Sequence, residues 1–445
     1  MQSKTSWFHK TIFLKNITRW WPIWTAYLLV WLIRLPLRLF HALNPRLMDS
    51  ASAPDSYLLS RLEGVVRTSL QPSFFFLFAA ITAIAVFSYL FQARSCNMIH
   101  ALPVCRETLF TTNLLSGIAF LFIPQIVAFL AGIFVCFFRH MTQLEYLMHW
   151  LILSLGMVFF AFALAVFTVM ITGNIIAAPV FFLIINYLFV VCRSIVCQLA
   201  EMVSFGVDNT NISFGDFLSP FYYFSTLFPG FLTFQSREEL IRLPQAYAII
   251  AAYCLAGVAC LVLSFFLYRK KHLETAGDII TIRLLKPLLC WGASFILGCW
   301  IAIMGQFFFV GEYVSGMNLL LLLFFLAAGC ILAFFLSEML LQKSFLVFSK
   351  KKFLECAGVT VISCLFLAAL ECNLFGIETR IPKEEEIQSV FLSGLYPIRL
   401  EEKDFSKVLD IHQDLVDSRE ELQRYFQKYW ENSSYSTLEP GFSET

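Results

Sequence analysis

Long runs of nearly unbroken apolar residues restrict this chain to folds that place most of it in lipid. Nine of these runs approach or exceed the roughly 20 residues that a helix needs to cross about 30 Å of hydrocarbon. They lie at 19–40, 73–91, 114–138, 147–172, 175–199, 244–268, 285–309, 318–340 and 353–374. Hydrophobic residues make up 59% of the chain and charged residues only 14%, against about 25% charged residues in an average soluble domain. Since a soluble core cannot absorb this excess, the sequence predicts an all-α polytopic membrane protein in a lipid bilayer.

The first run is the least regular, because Arg34, Pro36 and Arg38 lie in its last third. Long arginine side chains near the end of a span can reach the headgroups, so we still expect this run to cross the membrane. The basic residues before it precede a full-length span and no small-residue cleavage site follows, a pattern that differs from a secretory signal peptide.

Lysine and arginine are distributed unequally between the two sets of connecting segments. An N-terminus in the cytoplasm places fifteen of these residues in the inner segments and eight in the outer ones. Because cytoplasmic loops are enriched in Lys and Arg, the sequence predicts a cytoplasmic N-terminus. With an odd number of spans, the C-terminal tail is then extracytoplasmic.

A polar stretch, FQARSCNMIHALPVCRETLFTTN, interrupts the apolar sequence between the second and third spans. Proline is tolerated in a first helical turn, where its missing N–H loses no bond. We therefore predict a short amphipathic helix in the loop 92–113, opened by Pro103. An ordinary polar connector is the alternative interpretation.

Two further segments have the composition of structures that lie in the membrane surface. Residues 1–18 form the N-terminal segment, and apolar Phe13 and Ile17 recur there at helical spacing, followed by Trp20 and Trp21. This pattern is typical of an interfacial elbow helix with tryptophan at the headgroup level. The outer loop 200–243 contains FLSPFYYFSTLFPGFLTF, which can enter the outer leaflet without being long enough to cross it.

This order of parts resembles the permease subunits of type-2 ABC exporters. The stretches FSYLFQARSCNMIHALPVCRETLFTTNLLSG and YRKKHLETAG are similar to the Ytr-type permeases of Gram-positive bacteria, and also to bacteriocin and lantibiotic export permeases. The family commonly has His-Ser-Leu-Pro, a basic pair and Glu in this loop, whereas Val104 and Cys105 here remove one basic residue. The resemblance implies a six-span permease core at 19–268, three additional spans within 269–374 and a bacterial cytoplasmic membrane.

The resemblance also implies a role for the polar loop, which would couple the permease to a separate ABC ATPase subunit. The residues that match the family's coupling loop are His100, Leu102, Pro103, Arg106 and Glu107. The sequence contains no G-x-x-x-x-G-K-[ST] phosphate-binding loop, so ATP-Mg would be bound and hydrolysed by that partner and this chain would need no cofactor. Six core spans are half of an exporter's translocation unit, which implies a second permease subunit, identical or related.

Other chemical sites are weakly supported by the sequence. The thirteen cysteines include no C-x-x-C pair, and the seven histidines include no H-x-x-x-H pair. Most cysteines fall in spans, where a thiol is a small apolar filler, so we predict no metal site, no disulfide framework and no catalytic site. The net charge of +1 gives no indication of a nucleic-acid partner.

One basic residue, Arg193, intrudes clearly on hydrocarbon, in the fifth span. Residues of this kind are candidates for substrate contact or for pairing between subunits. Arg193 also lies close enough to the outer end of its span to reach the headgroups. Glu338 and Glu371, near span ends, are predicted to be interfacial.

The tail, 375–445, is polar, and we predict a short extracytoplasmic α/β tail. KEEEIQSVFLSG has the pattern of a strand, and the segment from Glu401 to Trp430 that of a long helix with Phe405, Val408, Leu409 and Leu415 on one stripe. The last thirteen residues are predicted to be a frayed end.

Two functional classes remain open from the sequence. The favoured one is an ATP-driven exporter of a peptide-like or envelope-related amphiphile, in antimicrobial peptide export or resistance. The other is a membrane sensor or scaffold that reports envelope or antibiotic stress through the tail. A polytopic membrane enzyme is less favoured, because clusters of His, Asp or Glu within the spans are missing from the sequence.

Overall fold

The structure is a computed structural model in which nine helices of the described residues are long and apolar enough to cross a membrane. The described residues are 7–44, 55–139, 141, 144–204, 215–231, 242–271, 276–282, 284–310, 319–376, 378–383, 387, 390–392, 398–400, 404–422 and 424–425. The nine spans are Trp21–Ala42, Leu58–Val86, Arg106–Phe138, Glu145–Ile171, Ala177–Val203, Pro244–Lys270, Leu285–Phe308, Leu319–Gln342 and Lys350–Glu371. Each overlaps one predicted run, so the prediction of a multi-pass helical membrane protein is confirmed.

The helices are numbered along the chain from the N-terminus. In the first part of the chain they are α1 (Lys10–Arg19), α2 (Trp21–Leu32), α3 (Arg38–Ala42), α4 (Asp55–Ser69), α5 (Pro72–Val86), α6 (Ala93–His100), α7 (Arg106–Phe138) and α8 (Glu145–Ile171). They continue with α9 (Ala177–Val203), α10 (Pro220–Phe231), α11 (Arg242–Lys270), α12 (Leu285–Val310), α13 (Leu319–Gln342), α14 (Lys350–Glu371) and α15 (Phe405–Asp417). Contacts divide the chain into two compact units: Met1–Val190 with Phe214–Lys286, and Val191–Ser213 with Pro287–Thr445.

The first unit is organised around α8, the most buried of the nine spans. It packs against α5, α7 and α11, while α2 packs on α7. The centre is aromatic: the Trp31 ring stacks on Phe75 at 4.6 Å between centroids and meets Trp150 edge-on at 5.4 Å. At Gly156 an added Cβ would collide with Ile250, so this glycine permits the close approach of α8 and α11.

The irregular first span crosses as a helix with one widened turn. Residues Ile33–Leu37 form a π-helical turn around Pro36, which has no N–H to donate. The Arg34 guanidinium turns to the end of α4, where it donates to the Thr68 carbonyl at 2.7 Å and lies 4.5 Å from the Phe74 ring centroid. The guanidinium thus bonds to the end of a neighbouring helix, whereas its predicted reach to the headgroups stays a prediction.

The second unit contains α12, α13, α14 and the last part of α9. Its core includes Leu199 of α9, Cys299 of α12, Leu326 and Cys330 of α13 and Leu367 of α14. The sequence placed the whole fifth span with the six-span core, whereas in the structure its last turns pack with these later helices.

The tail contains a two-stranded antiparallel pair and a helix among its described residues. Phe391–Leu392 (β1) pairs with Ile398–Arg399 (β2), within the segment that the sequence predicts to begin with a strand. The helix α15 is 13 residues long and ends at Asp417, so it is shorter than predicted. Phe405 of the predicted stripe is buried, but Leu415 is exposed. The predicted frayed end, 433–445, and much of the outer loop 200–243 lie outside the described residues, although α10 falls in that loop.

Two native cysteines test the predicted orientation. Cys105, directly before α7, and Cys372, directly after α14, are both exposed and lie on opposite sides of the membrane in the predicted topology. Two variants are needed, one with Cys105 and one with Cys372 as its sole cysteine. A membrane-impermeant maleimide should label Cys372 in intact cells and Cys105 only after permeabilisation. Labelling of both after permeabilisation is the control for accessibility. The reverse pattern in intact cells would contradict a cytoplasmic N-terminus.

Candidate functional site

The loop 92–113 contains a short helix, but Pro103 does not open it. The helix α6 ends at His100, a tight turn follows in which the Val104 N–H donates to the Leu102 carbonyl at 2.7 Å, and α7 begins at Arg106. The prediction that Pro103 starts the helix is wrong: the short helix forms before Pro103 and ends ahead of it, because the residue before a proline is disfavoured in helical conformation. Pro103 therefore separates two helices.

The loop has an anchored side and an exposed side. Cys96 of α6 is buried and Ile99 packs against the core of the first unit. Met98 and Leu102 are 66% and 47% exposed. The amphipathic character predicted for the helix is present, with Met98 and Leu102 forming an exposed apolar tip.

A chain of hydrogen bonds joins the anchored side to four other parts of the first unit. It consists of Asn16 of α1, Asn113 of α7, Tyr89 after α5, Tyr268 of α11 and His100 of α6, and we call it the tyrosine junction. The distances are 2.8 Å between Asn16 Nδ2 and Asn113 Oδ1, 3.5 Å between Asn113 Nδ2 and Tyr89 Oη, 3.0 Å between the two tyrosine hydroxyls, and 3.4 Å between Tyr268 Oη and His100 Nε2. The junction ties α1 and α6 to the ends of spans two, three and six.

The direction of these hydrogen bonds follows from the histidine. His100 Nδ1 lies 2.8 Å from the Cys96 carbonyl, which can only accept, so in the neutral ring Nδ1 carries the proton and Nε2 accepts. Tyr268 then donates to His100, Tyr89 donates to Tyr268, and the Asn113 amide donates to Tyr89. Burial, with a smaller contribution from Tyr268, raises the pKa of Tyr89 well above 10, so this hydroxyl remains a donor at physiological pH.

The N-terminal helix is fastened to α7 by further polar contacts. The Asn16 amide also donates to Ser116 Oγ at 3.1 Å, and the His9 N–H donates to Thr112 Oγ1 at 3.1 Å. Thr111 Oγ1 donates to the Trp7 carbonyl. Because these acceptors and donors recur on one face of α7, α1 is held along the first turns of the third span.

Charged groups connect the start of α7 to the end of α11. Glu107 Oε1 lies 3.3 Å from Arg269 Nε, in a pair whose side chains are 37% and 53% exposed. An Arg106 guanidinium N–H donates to the Lys271 carbonyl at 3.4 Å. Arg106 and Glu107 of the predicted coupling loop therefore both have partners in their own chain.

The side chain of Lys271 caps the C-terminal end of α8. Its ammonium donates to the carbonyls of Val169, Met170 and Thr172 at 3.2, 3.1 and 2.6 Å. These groups belong to the last turn of the helix and its cap, where carbonyls lack partners within the helix. Burial lowers the pKa of Lys271 to about 8, although the nearby Cys96 thiol acts in the opposite direction.

The segment after Lys271 runs back along the turn between α8 and α9. The Gly173 N–H donates to the Asp278 carbonyl at 2.8 Å, and the Thr281 N–H donates to the Ile171 carbonyl at 2.9 Å. Gly277, with φ of +95°, allows the chain to reverse and donate to Gly173. The loop 92–113, the end of α11 and the α8–α9 turn thus form one packed surface on the N-terminal side of the membrane.

The remaining sequence candidates lie in the second unit. Arg193 is half-buried in α9. Glu338 of α13 is buried, with Lys352 Nζ at 3.0 Å, Gln342 Nε2 at 2.6 Å and Cys290 Sγ at 3.0 Å. The Glu338 carboxylate is therefore enclosed by protein, and its interfacial depth stays a prediction.

Sequence reasoning missed the tyrosine junction. Tyr89 and Tyr268 each lie at the end of an apolar run, where tyrosine is common at the membrane boundary. Asn16 and Asn113 are polar residues beside such ends and carry no motif. The repeated occurrence of tyrosine at the ends of spans two and six, on the same side, was the available signal.

No family model, no curated protein and no solved structure matches this chain. Among the described residues, no three His, Cys, Asp or Glu side chains converge as a metal-binding group.

Replacing Tyr268 by phenylalanine tests the tyrosine junction. The change leaves Tyr89 Oη and His100 Nε2 without their shared partner, so we expect the free energy of unfolding to fall by about 1–3 kcal/mol. Thermal unfolding in detergent measures this as a lower Tm. Combined with Tyr89→Phe, the loss should be smaller than the sum of the two single losses, because both hydroxyls belong to one chain of bonds. Additive losses would show that the hydroxyls act independently.

The pKa of Lys271 gives a pH prediction. An unfolded lysine titrates near 10.4, whereas the folded value is about 8. Between these values the unfolded state binds more protons, so the contribution of Lys271 to stability increases as the pH rises from about 8 to about 10.5. The Tm difference between the native protein and Lys271→Met should therefore be larger at pH 9.5 than at pH 7. A difference that is constant with pH would place the ammonium in an exposed, unperturbed environment.

Proposed function

We propose that this chain is the permease subunit of an ATP-driven ABC exporter, coupled through the loop 92–113 to a separate ATPase subunit. The observation that carries the proposal is that this loop presents an exposed apolar tip while its base is fastened to several spans. A loop that only connects two helices needs neither feature. A loop that transmits force from a soluble partner needs both.

The base of the loop is connected to the spans by three kinds of contact. His100 joins α6 to Tyr268 and Tyr89, Glu107 joins α7 to Arg269, and the Phe110 ring lies 5.4 Å from the Tyr268 ring. These contacts reach the ends of spans two, three and six. A displacement of the loop would therefore move the ends of these helices together.

The tip has the chemistry of a helix that docks in a groove. Amphipathic helices commonly insert apolar side chains into grooves of soluble partners. Met98 and Leu102 are the exposed apolar side chains here, with Pro103 and Cys105 exposed beside them. Arg106 is exposed as well and can add a hydrogen bond to a partner carboxylate.

The helix α1 supports the proposal as an elbow in the membrane surface. Trp7, Leu14 and Trp21 are exposed apolar side chains in or next to α1, and Lys10 and Lys15 are exposed cations of the same helix. This combination suits the boundary between headgroups and hydrocarbon. Because this elbow lies in the membrane surface and is bonded to α7, it connects the start of the third span to the membrane surface while the loop moves.

The proposed partners follow from the resemblance to type-2 ABC exporters. The ATPase subunit supplies ATP-Mg, and a second permease subunit, identical or related, completes the pathway in a bacterial cytoplasmic membrane. The cargo class that we propose for this exporter, from the same resemblance, is a peptide-like or envelope-related amphiphile. The tail then lies on the outer side.

Variants of the tip and the base separate binding from coupling. Co-expressed with ABC ATPases from the same genome, the native chain should retain one of them on purification. Leu102→Asp should weaken that association by about tenfold or more, since a charge replaces a buried apolar contact. The matched control is Leu374→Asp, at an exposed leucine beyond α14 that lies on the other side of the membrane in the predicted topology, which should bind normally.

The base is tested in the same complex by a charge exchange. Glu107→Arg and Arg269→Glu should each reduce substrate-stimulated ATP hydrolysis, and the two together should restore it. The pair is about half exposed, so the free energy of unfolding should change by only about 0–1 kcal/mol, and the Tm should change little. Normal association and hydrolysis in Leu102→Asp and in both single exchanges would show that the loop is only a connector.

A further inference from the structure

A cavity of about 300 Å³ lies beside the loop, within the first unit. Its polar wall is formed by Arg19 and Trp20 at the end of α1, Ser88 after α5, Gln92 and Ser95 at the start of α6, and Asn174 between α8 and α9. Apolar side chains, among them the exposed Met98 and Ile175, form the rest of the wall. Of its lining residues, only Met98 at the tip of the loop and Tyr89 in the tyrosine junction have a role in the proposed transport function, which does not need the cavity itself.

The cavity is surrounded by the ends of spans, and these ends determine its depth in the membrane. The first span begins at Trp21, the second ends at Val86, the fourth ends at Ile171 and the fifth begins at Ala177. Because consecutive spans cross in opposite directions, these four ends lie on the same side of the membrane. Tryptophan at the end of α1 marks the headgroup level there. The cavity therefore opens where hydrocarbon meets lipid headgroups.

The charge of the residues that line the cavity favours the binding of a single anionic group. Arg19 is the only ionisable cation of the lining, and the lining contains no Asp or Glu. The Arg19 guanidinium lies 5.0 Å from the centroid of the Trp20 ring, and it forms no ion pair among the described residues. The helix α6 begins at Ala93 beside the cavity, so the positive end of its dipole adds to the charge of Arg19.

The neutral groups suit hydroxyl and ester oxygens. Ser88, Ser95, Gln92 and Asn174 offer hydroxyls and amides around the arginine. The Asn174 Oδ1 accepts from the Ile176 N–H at 2.8 Å, which directs its carbonyl oxygen to the backbone and leaves its amide N–H groups as donors. A guanidinium binds phosphate through a pair of parallel hydrogen bonds.

We propose that this cavity binds the phosphodiester headgroup of an anionic phospholipid from the leaflet on the N-terminal side. Arg19 holds the phosphate, the serine and amide side chains hold the headgroup hydroxyls, and the acyl chains leave along the apolar wall into the bilayer. The bound lipid contacts Tyr89 of the tyrosine junction and Ser95 of α6, so it stabilises the arrangement of the loop.

Thermal unfolding of the full-length protein in a mild detergent tests the site with phosphatidylglycerol as the probe. Added phosphatidylglycerol should raise the Tm of the native chain more than phosphatidylcholine does. Arg19→Gln should weaken the apparent affinity for phosphatidylglycerol by about tenfold, the effect of losing one charged hydrogen bond. The matched control is Lys15→Gln, which removes a charge one turn earlier on the same helix, from an exposed residue outside the cavity.

A second variant and a second measurement complete the experiment. Ser95→Phe fills the cavity without changing the charge, so it should lose the response to phosphatidylglycerol while the cavity's arginine remains. Native mass spectrometry should count one tightly retained phosphatidylglycerol on the native chain and on Lys15→Gln, and none on the two cavity variants.

Three results would overturn the proposal. Equal responses of native, Arg19→Gln and Lys15→Gln proteins would show general attraction to a charged surface. The same Tm increase with inorganic phosphate in phosphatidylcholine would show a site for free phosphate instead of lipid. Retention of the lipid by both cavity variants would place it elsewhere on the protein.

Discussion

The hydrogen bonds of the backbone are the constraint on which this structure depends. In hydrocarbon no water is available for N–H and C=O groups, so every spanning segment must satisfy them internally, and a helix does so within one segment. The widened turn at Pro36 shows the same rule at a proline, where the helix changes its hydrogen-bond pattern and continues. Groups without a partner in their own helix remain only at helix ends, and the tyrosine junction and the contacts of Lys271 lie there.

The ends on the N-terminal side illustrate how that local requirement yields a functional surface. The last carbonyls of α8 take their donor from Lys271, which comes from a different span. The end of α11 is bound to the start of α7 by Glu107 and to α6 by His100. Bonds that satisfy polar groups at one helix end therefore couple it mechanically to others. This is the property that a coupling loop requires, and it supports the role proposed for residues 92–113.

In the second unit, charged side chains find their partners inside the protein. Glu338 in α13 is buried with Lys352 of α14 and Cys290 of α12. A buried ion pair gains little net stability because both charges lose water, but removal of one partner is strongly destabilising. The contacts of Glu338 therefore favour one arrangement of α12, α13 and α14 over others, in a unit whose remaining core is apolar and has little directional preference.

The sequence by itself determined the elements that depend on local composition. The nine apolar runs became nine long helices, the residues before Trp20 became a helix, and the loop 92–113 contains an amphipathic helix. Length and hydrophobic periodicity suffice for these features because hydrocarbon permits little besides helices.

Only the tertiary structure decided which polar residues meet. Tyr89 and Tyr268 are 179 residues apart and share a hydrogen bond, and Glu338 is buried because Lys352 folds back onto it. Whether the short helix forms before or after Pro103 also depended on the residue at which α7 begins. Apolar spans look alike in sequence and can pack in many ways, so the pairing of their few polar side chains is settled by the contacts between helices.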